Sequence, residues 1–149
     1  MSNVLRRNRA TSEAEFIHNA KRIRTEVTSF AMNKKVIPKK YRYVYAIPMI
    51  DICRDLIKNA NTYYNCLGED DESSYLYNRK RNALQNMRDC CDDILAEMQS
   101  AREQFHIKMS VRERVVGLIV DEEELIEDLL IYEEERHSNF LKHNLQKEK

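Results

Sequence analysis

Val36-Ile37-Pro38-Lys39-Lys40-Tyr41-Arg42-Tyr43-Val44-Tyr45-Ala46-Ile47-Pro48 is a basic, aromatic junction between two long helical patterns, and its reading decides the fold. Pro38 stops the element before it, because the residue preceding a proline is pushed out of the α region. Pro48 lacks an N–H and is cheap only in a first turn; deeper in a helix it removes a backbone bond and forces a kink. The second helix therefore starts near Ile47, or starts near Lys40 and bends at Pro48. The bent reading is taken here.

Upstream, residues 1–12 read as a flexible, basic N-terminus carrying Arg6, Arg7 and Arg9. Ser12 and Glu15 have capping-box spacing, so the first helix is expected from about Glu13 to Lys34. Its apolar positions Phe16, Ala20, Ile23, Val27 and Phe30 alternate steps of four and three, which makes one narrow seam. Downstream, the second helix is expected from about Lys40 to Tyr64. One face collects Tyr43, Ala46, Ile50, Cys53, Ile57 and Tyr64 and is assigned to the core. The opposite face holds Met49, Ile52, Leu56 and Tyr63; a helix apolar on two sides wants two partners, so these four are assigned to an oligomer interface.

The segment from Cys66 to Ser74 is a loop: Gly68 is expected to end the second helix, and a serine to cap the third. The third helix spans about Tyr75 to Phe105, with Leu76, Ala83, Met87, Cys90, Ile94, Met98, Ala101 and Phe105 on its seam. Ser110 and Glu113 repeat the capping-box spacing, so the fourth helix is expected from about Val111 to Arg136, with Val115, Leu118, Leu125, Leu129 and Tyr132 inward. Glu122 falls within that stripe, and Arg54 is its candidate partner, since a carboxylate buried alone is costly. Residues 137–149 are read as a polar tail. Two glycines and two prolines in 149 residues leave little material for turns between strands. The chain reads as all-α, an antiparallel up-down-up-down four-helix bundle over residues 13–136.

The formal charge is zero, but residues 1–66 carry thirteen Lys and Arg against five Asp and Glu, while residues 67–149 carry twelve against twenty. Alternating helix directions bring the first and third junctions to one end, where Lys34, Lys35, Lys39, Lys40, Arg42, Lys108, Arg112 and Arg114 gather. Such a surface attracts polyphosphate, and a tyrosine such as Tyr41 can stack on unpaired bases. These basic residues and Tyr41 form the candidate RNA- or DNA-binding set. The bland alternative is a solvated helix junction, with Tyr43 in the core.

Catalytic chemistry finds little support. Glu-x-x-His pairs occur at Glu15/His18, Glu103/His106 and Glu134/His137, the motif that di-metal bundles use, but helical geometry turns the first and third away from the seams. There is no glycine-rich phosphate loop and no nucleophile motif, so neither enzyme activity, nor a metal or other cofactor, nor a small-molecule substrate is expected. Cys53, Cys66, Cys90 and Cys91 lack zinc-ligand spacing, and no apolar run is long enough for a membrane span. A cytoplasmic location is expected.

The Val36-to-Arg42 junction, the helices on either side of it and the Leu118-Ile119-Val120-Asp121-Glu122-Glu123 segment together resemble one family of small bundles. This is the bacterial four-helix-bundle family that includes proteins encoded in ribosomal RNA intervening sequences and the accessory variability determinant of diversity-generating retroelements. The resemblance implies a ring-shaped homopentamer without enzymatic activity, partnering a reverse transcriptase and its template RNA. A protein-binding scaffold that docks a basic polymerase on its acidic fourth helix, without touching nucleic acid, is the alternative, and a carboxylate-bridged metal enzyme is the third and lesser reading.

Overall fold

The computed structural model describes residues 2–69 and 73–148, with side chains from Glu15 onward. Four helices carry the chain: α1 (Ser2–Met32), α2 (Arg42–Cys66), α3 (Ser74–Phe105) and α4 (Met109–Lys147). A 3-10 turn over Lys39–Tyr41 leads into α2, and no strand occurs among the described residues. α1 packs on α2 and α4, and α3 packs on the same two helices, so the four close a ring of neighbours around one core. The directions alternate as the short connections require: Phe16, Tyr63, Lys80 and Glu133 meet toward one end, and Tyr41, Tyr45 and Phe105 meet at the other.

The seam of α1 is as expected: Phe16, Ala20, Ile23, Val27 and Phe30 are all buried. α3 buries Leu76, Ala83, Met87, Ile94, Met98 and Ala101, with Leu84 and Cys91 beside them, while Cys90 and Phe105 are half-buried. On α4 the inward stripe is rotated slightly, so that Ile119, Glu122, Ile126 and Glu133 are buried and Leu125 and Tyr132 stand at its edge. Each large apolar side chain enclosed in this way contributes about 1.5–3 kcal/mol.

Helix α2 corrects the two-faced reading. Met49, Leu56 and Tyr63 are fully enclosed in the chain's own core, and Ile52 is half-buried against it. The four residues assigned to an oligomer interface therefore pack in or against the chain's own core. A helix at the corner of a bundle meets two neighbours at once, so the stripe of Met49, Leu56 and Tyr63 is covered within one subunit. Tyr43 and Tyr64, assigned to the core, are exposed instead.

Helix ends also depart from expectation. α1 is helical from Ser2, so the Ser12/Glu15 pair lies inside the helix and does not start it; the side chain of Ser12 is outside the described set. α1 ends at Met32, where the Arg42 Nη2 donates to the Met32 carbonyl at 3.3 Å. Beyond it Val36 and Ile37 donate backbone N–H groups to the Asn33 carbonyl and turn their side chains into the core, which plugs that end of the bundle. α2 runs through Pro48 without interruption, with its start at Arg42. The choice of a start before Pro48 is the correct one.

Ser73 caps α3 as expected, its hydroxyl accepting from the Leu76 N–H at 3.3 Å. Gly68 follows the end of α2 but is not left-handed; among the described residues the left-handed one is His106 (φ 53°), which ends α3 and lets Ile107 turn inward. α4 starts at Met109 behind an extended Lys108 and no side-chain cap, so Ser110 sits within its first turn. It continues to Lys147, past the Arg136 boundary: the 3.6-residue pattern fades in the polar stretch, but backbone hydrogen bonding continues.

Candidate nucleic-acid interface

The junction that joins α1 to α2 folds against the end of α3. Tyr41 and Tyr45 both pack on the Phe105 ring, each with centroids 5.2 Å apart, and the Lys40 ammonium lies 5.0 Å from the Tyr41 centroid. Tyr41, named as a base-stacking ring, is thus committed to Phe105 on one side and to Lys40 on another. Tyr43 is the open ring: it is 82% exposed at the first turn of α2, just past Lys39 and Lys40. Sequence spacing could not separate these tyrosines. The 3-10 turn rotates the start of α2 and decides which ring meets Phe105.

The basic residues divide in the same way. Lys34, Lys35, Lys39, Lys40 and Lys108 are exposed and make no ion pair among the described residues. Arg42 is occupied by the Met32 carbonyl, Arg112 donates to Gln99 Oε1 at 2.6 Å, and Arg114 pairs with Glu26 at 3.2 Å. The three arginines pin the helix ends to one another, while the lysines face solvent. Around them Met32, Val44, Ile47 and Met109 are also exposed, so this end is both cationic and partly apolar.

The opposite half of the bundle holds a polar cluster that the sequence reading missed. Lys80, on α3, donates to Glu133 Oε2 of α4 at 3.1 Å, and the Tyr63 hydroxyl of α2 donates to Glu133 Oε1 at 3.0 Å. All three side chains are buried, and Phe16 of α1 meets the Tyr63 ring edge-on at 5.5 Å. The legible signal was a charge on each of two apolar stripes: Lys80 stands between Leu76 and Leu84, and Glu133 four residues after Leu129. Because this cluster is fully packed, it reads as the bond that fixes the register of three helices.

Glu122 is the other buried acid. Arg54 does not reach it and pairs with Asp51 on the surface. Neither Glu122 oxygen has a hydrogen-bond partner, and burial, followed by the charge of Glu15, pushes its carboxyl up to about 8. Beside it, burial and a hydrogen bond to Asp92 raise Glu123 to about 6. The four thiols are free, and burial raises all of them, Cys53 to about 12 and Cys90 to about 11. A raised thiol holds little thiolate, so the cysteines behave as small apolar groups.

The Glu-x-x-His pairs do not converge. Glu15, His18, Glu103, His106 and Glu134 are exposed, and His137 stacks on Tyr77 with centroids 4.0 Å apart. Among the described residues no three His, Cys, Asp or Glu side chains come together to hold a metal ion, and no helix is long and apolar enough to cross a membrane. Comparison of the chain with protein-family models, with curated proteins and with solved structures gives no match.

Proposed function

We propose that this bundle is a non-catalytic accessory protein of a retroelement of the diversity-generating type, which binds a reverse transcriptase and contacts RNA or DNA with its basic end. The observation that carries the reading is the set of five exposed lysines, Lys34, Lys35, Lys39, Lys40 and Lys108, without an ion-pair partner among the described residues and with the open Tyr43 ring beside them. Unpaired cations release counterions from phosphates, and an exposed ring stacks on a base whatever its identity. The Pro38-to-Arg42 junction, on which the family resemblance rests, is the segment that builds this surface.

Assembly into a homo-oligomer, a pentamer in the family it resembles, belongs to the same reading. Its interface is no longer assigned to Met49, Leu56 and Tyr63; exposed Val44 and Ile47 on α2 and Val120 and Ile131 on α4 are among the apolar positions left for it. The test replaces Lys34, Lys35, Lys39, Lys40 and Lys108, all exposed, by glutamate and measures binding to a single-stranded RNA at two salt concentrations. The expected result is loss of binding with helical content and molar mass unchanged. Unchanged affinity overturns the reading.

A further inference from the structure

The outward side of α2 changes character along its length. Tyr43, Val44 and Ile47 in its first two turns are 82%, 60% and 46% exposed. Ile47 follows Val44 by three residues and Tyr43 by four, so the three are neighbours on the helix surface. Further on, the same side carries Asp51, Arg54 and Lys58, all exposed, with Asp51 and Arg54 paired at 3.1 Å. The apolar row is therefore confined to the end where Lys39 and Lys40 lead into the helix. The subunit gains nothing from it. Tyr41 and Tyr45 turn their rings onto Phe105, while Tyr43 meets no other ring among the described residues. Tyrosine, valine and isoleucine are also weaker helix formers than the lysine, arginine or glutamate that suits an exposed position. A short row that works against both its solvent and its helix marks a surface kept for something outside the chain.

Charge and size identify the ligand. Lys34, Lys35, Lys39, Lys40 and Lys108 stand at this end without an ion-pair partner among the described residues, which calls for an anion. Arg42 Nη2, bonded to the Met32 carbonyl at 3.3 Å, ties the start of α2 to the end of α1, so the row is held in place before a ligand arrives. From Tyr43 to Ile47 the helix rises about 6 Å. That length seats one or two planar groups. It is far short of the apolar face that a membrane-surface helix lays into lipid, and Asp51, one turn on, would oppose anionic headgroups. An unpaired nucleotide supplies what this surface lacks, a base with open π faces flanked by phosphates. In a duplex those faces are closed by stacking; phosphates alone would meet the lysines, and the three apolar side chains would stay in water.

We infer that the first two turns of α2 are a seat for unpaired nucleotides, so that the basic end takes single-stranded and not base-paired nucleic acid. Tyr43 stacks on one base, Val44 and Ile47 cover its neighbour, and Lys39 and Lys40 hold the phosphates. Val44 and Ile47 then belong to this seat, and Val120 and Ile131 remain for assembly. The inference rests on the proposed function in taking nucleic acid as the ligand of this end; the choice between single strand and duplex is separate from it and fails separately.

The probe is a fluorescein-labelled RNA without self-complementarity, used alone and annealed to its complement, and followed by anisotropy. Tyr43→Ala removes the ring, and Val44→Gln with Ile47→Gln removes the aliphatic cover at exposed positions that the core does not need. Tyr75→Ala, an exposed ring at the start of α3, is the control. The natural chain is expected to bind the single strand about tenfold more tightly than the duplex. Each seat variant is expected to lose about tenfold in single-strand affinity, with duplex binding and the control changed less than about twofold. The lysine-to-glutamate variant is expected to lose both forms. Equal affinity for the two forms, or seat variants that weaken both alike, overturns the inference and leaves the proposed function standing; binding of neither form overturns both. Binding to phosphatidylserine vesicles that the seat substitutions abolish, with RNA binding intact, assigns the row to lipid and also overturns the inference.

Discussion

Lys80 Nζ lies 3.1 Å from Glu133 Oε2 in the interior of the bundle, both side chains all but closed to solvent, 53 residues apart in the chain. Such a pair is weak as a source of net stability and severe when broken, because removal of one partner strands the other charge. Lys80→Met should therefore cost about 3–5 kcal/mol, whereas the double change Lys80→Met with Glu133→Leu should recover much of that loss. Urea denaturation of the two variants checks this; equal destabilisation would show that the charge balance is irrelevant. Tyr63→Phe, which takes away only the hydroxyl bond, should cost about 1.5–3 kcal/mol.

Glu122 makes stability depend on pH. Its folded carboxyl is raised to about 8 by burial and by Glu15, so the folded state holds the proton more tightly than the unfolded chain does. The stabilisation from the neutral form is complete below the ordinary carboxylate range and is lost as pH rises through about 8. The effect is on the order of 4 kcal/mol across that window. Glu123, raised to about 6 by burial and then by Asp92, adds a smaller loss of the same sign. Thermal melts from pH 5 to pH 9 should show falling stability, and Glu122→Gln should flatten most of the slope. A slope unchanged in that variant would assign the dependence elsewhere.

The tyrosines of the junction should separate fold from binding. Tyr41→Ala removes a ring packed on Phe105 and should destabilise the protein by about 2–4 kcal/mol. Tyr43→Ala removes an exposed ring and should alter stability by no more than about 0.5 kcal/mol. Its effect should appear instead in single-stranded RNA binding, weakened by about 1–3 kcal/mol. Equilibrium unfolding and RNA titration of both variants test the division.

His106 holds the left-handed position that ends α3 (φ 53°), a conformation in which glycine escapes the Cβ penalty. His106→Gly should stabilise the chain by up to about 1 kcal/mol without altering RNA binding, and His106→Val should destabilise it by more. The measurement is the urea midpoint.

Thiol accessibility gives a further check on the packing. Cys53 and Cys91 are fully enclosed, and burial raises every thiol in the chain. An aromatic disulfide reagent at pH 8 should label Cys53 and Cys91 only as fast as the protein unfolds. Rapid labelling of both would contradict the core described here.

Much of the architecture was legible from apolar spacing. The seams of α1 and α3 came from steps of three and four residues, and the scarcity of glycine and proline left helices as the only economical elements. The ends were less legible. Ser12 and Ser110 carry capping patterns yet lie within helices, because a capping residue is also an acceptable helix residue when the turn before it is already formed. At the candidate interface the lysines are exposed, as their polar setting implies, but the packing of the tyrosines is not legible: Tyr41 and Tyr45 meet Phe105, 60 or more residues away, and no local pattern records that contact.

The sequence by itself determined four amphipathic helices, their alternating directions and the gathering of basic residues at one end, since periodicity and short connections are local properties. Only the tertiary structure decided how far each helix rotates about its axis. That rotation encloses Met49, Leu56 and Tyr63 of α2 within one subunit, joins Lys80 to Glu133, leaves Glu122 without a hydrogen-bond partner and opens Tyr43 to solvent. The physical reason is that burial and charge pairing depend on what a neighbouring helix brings to the same depth, and that neighbour comes from a distant part of the chain.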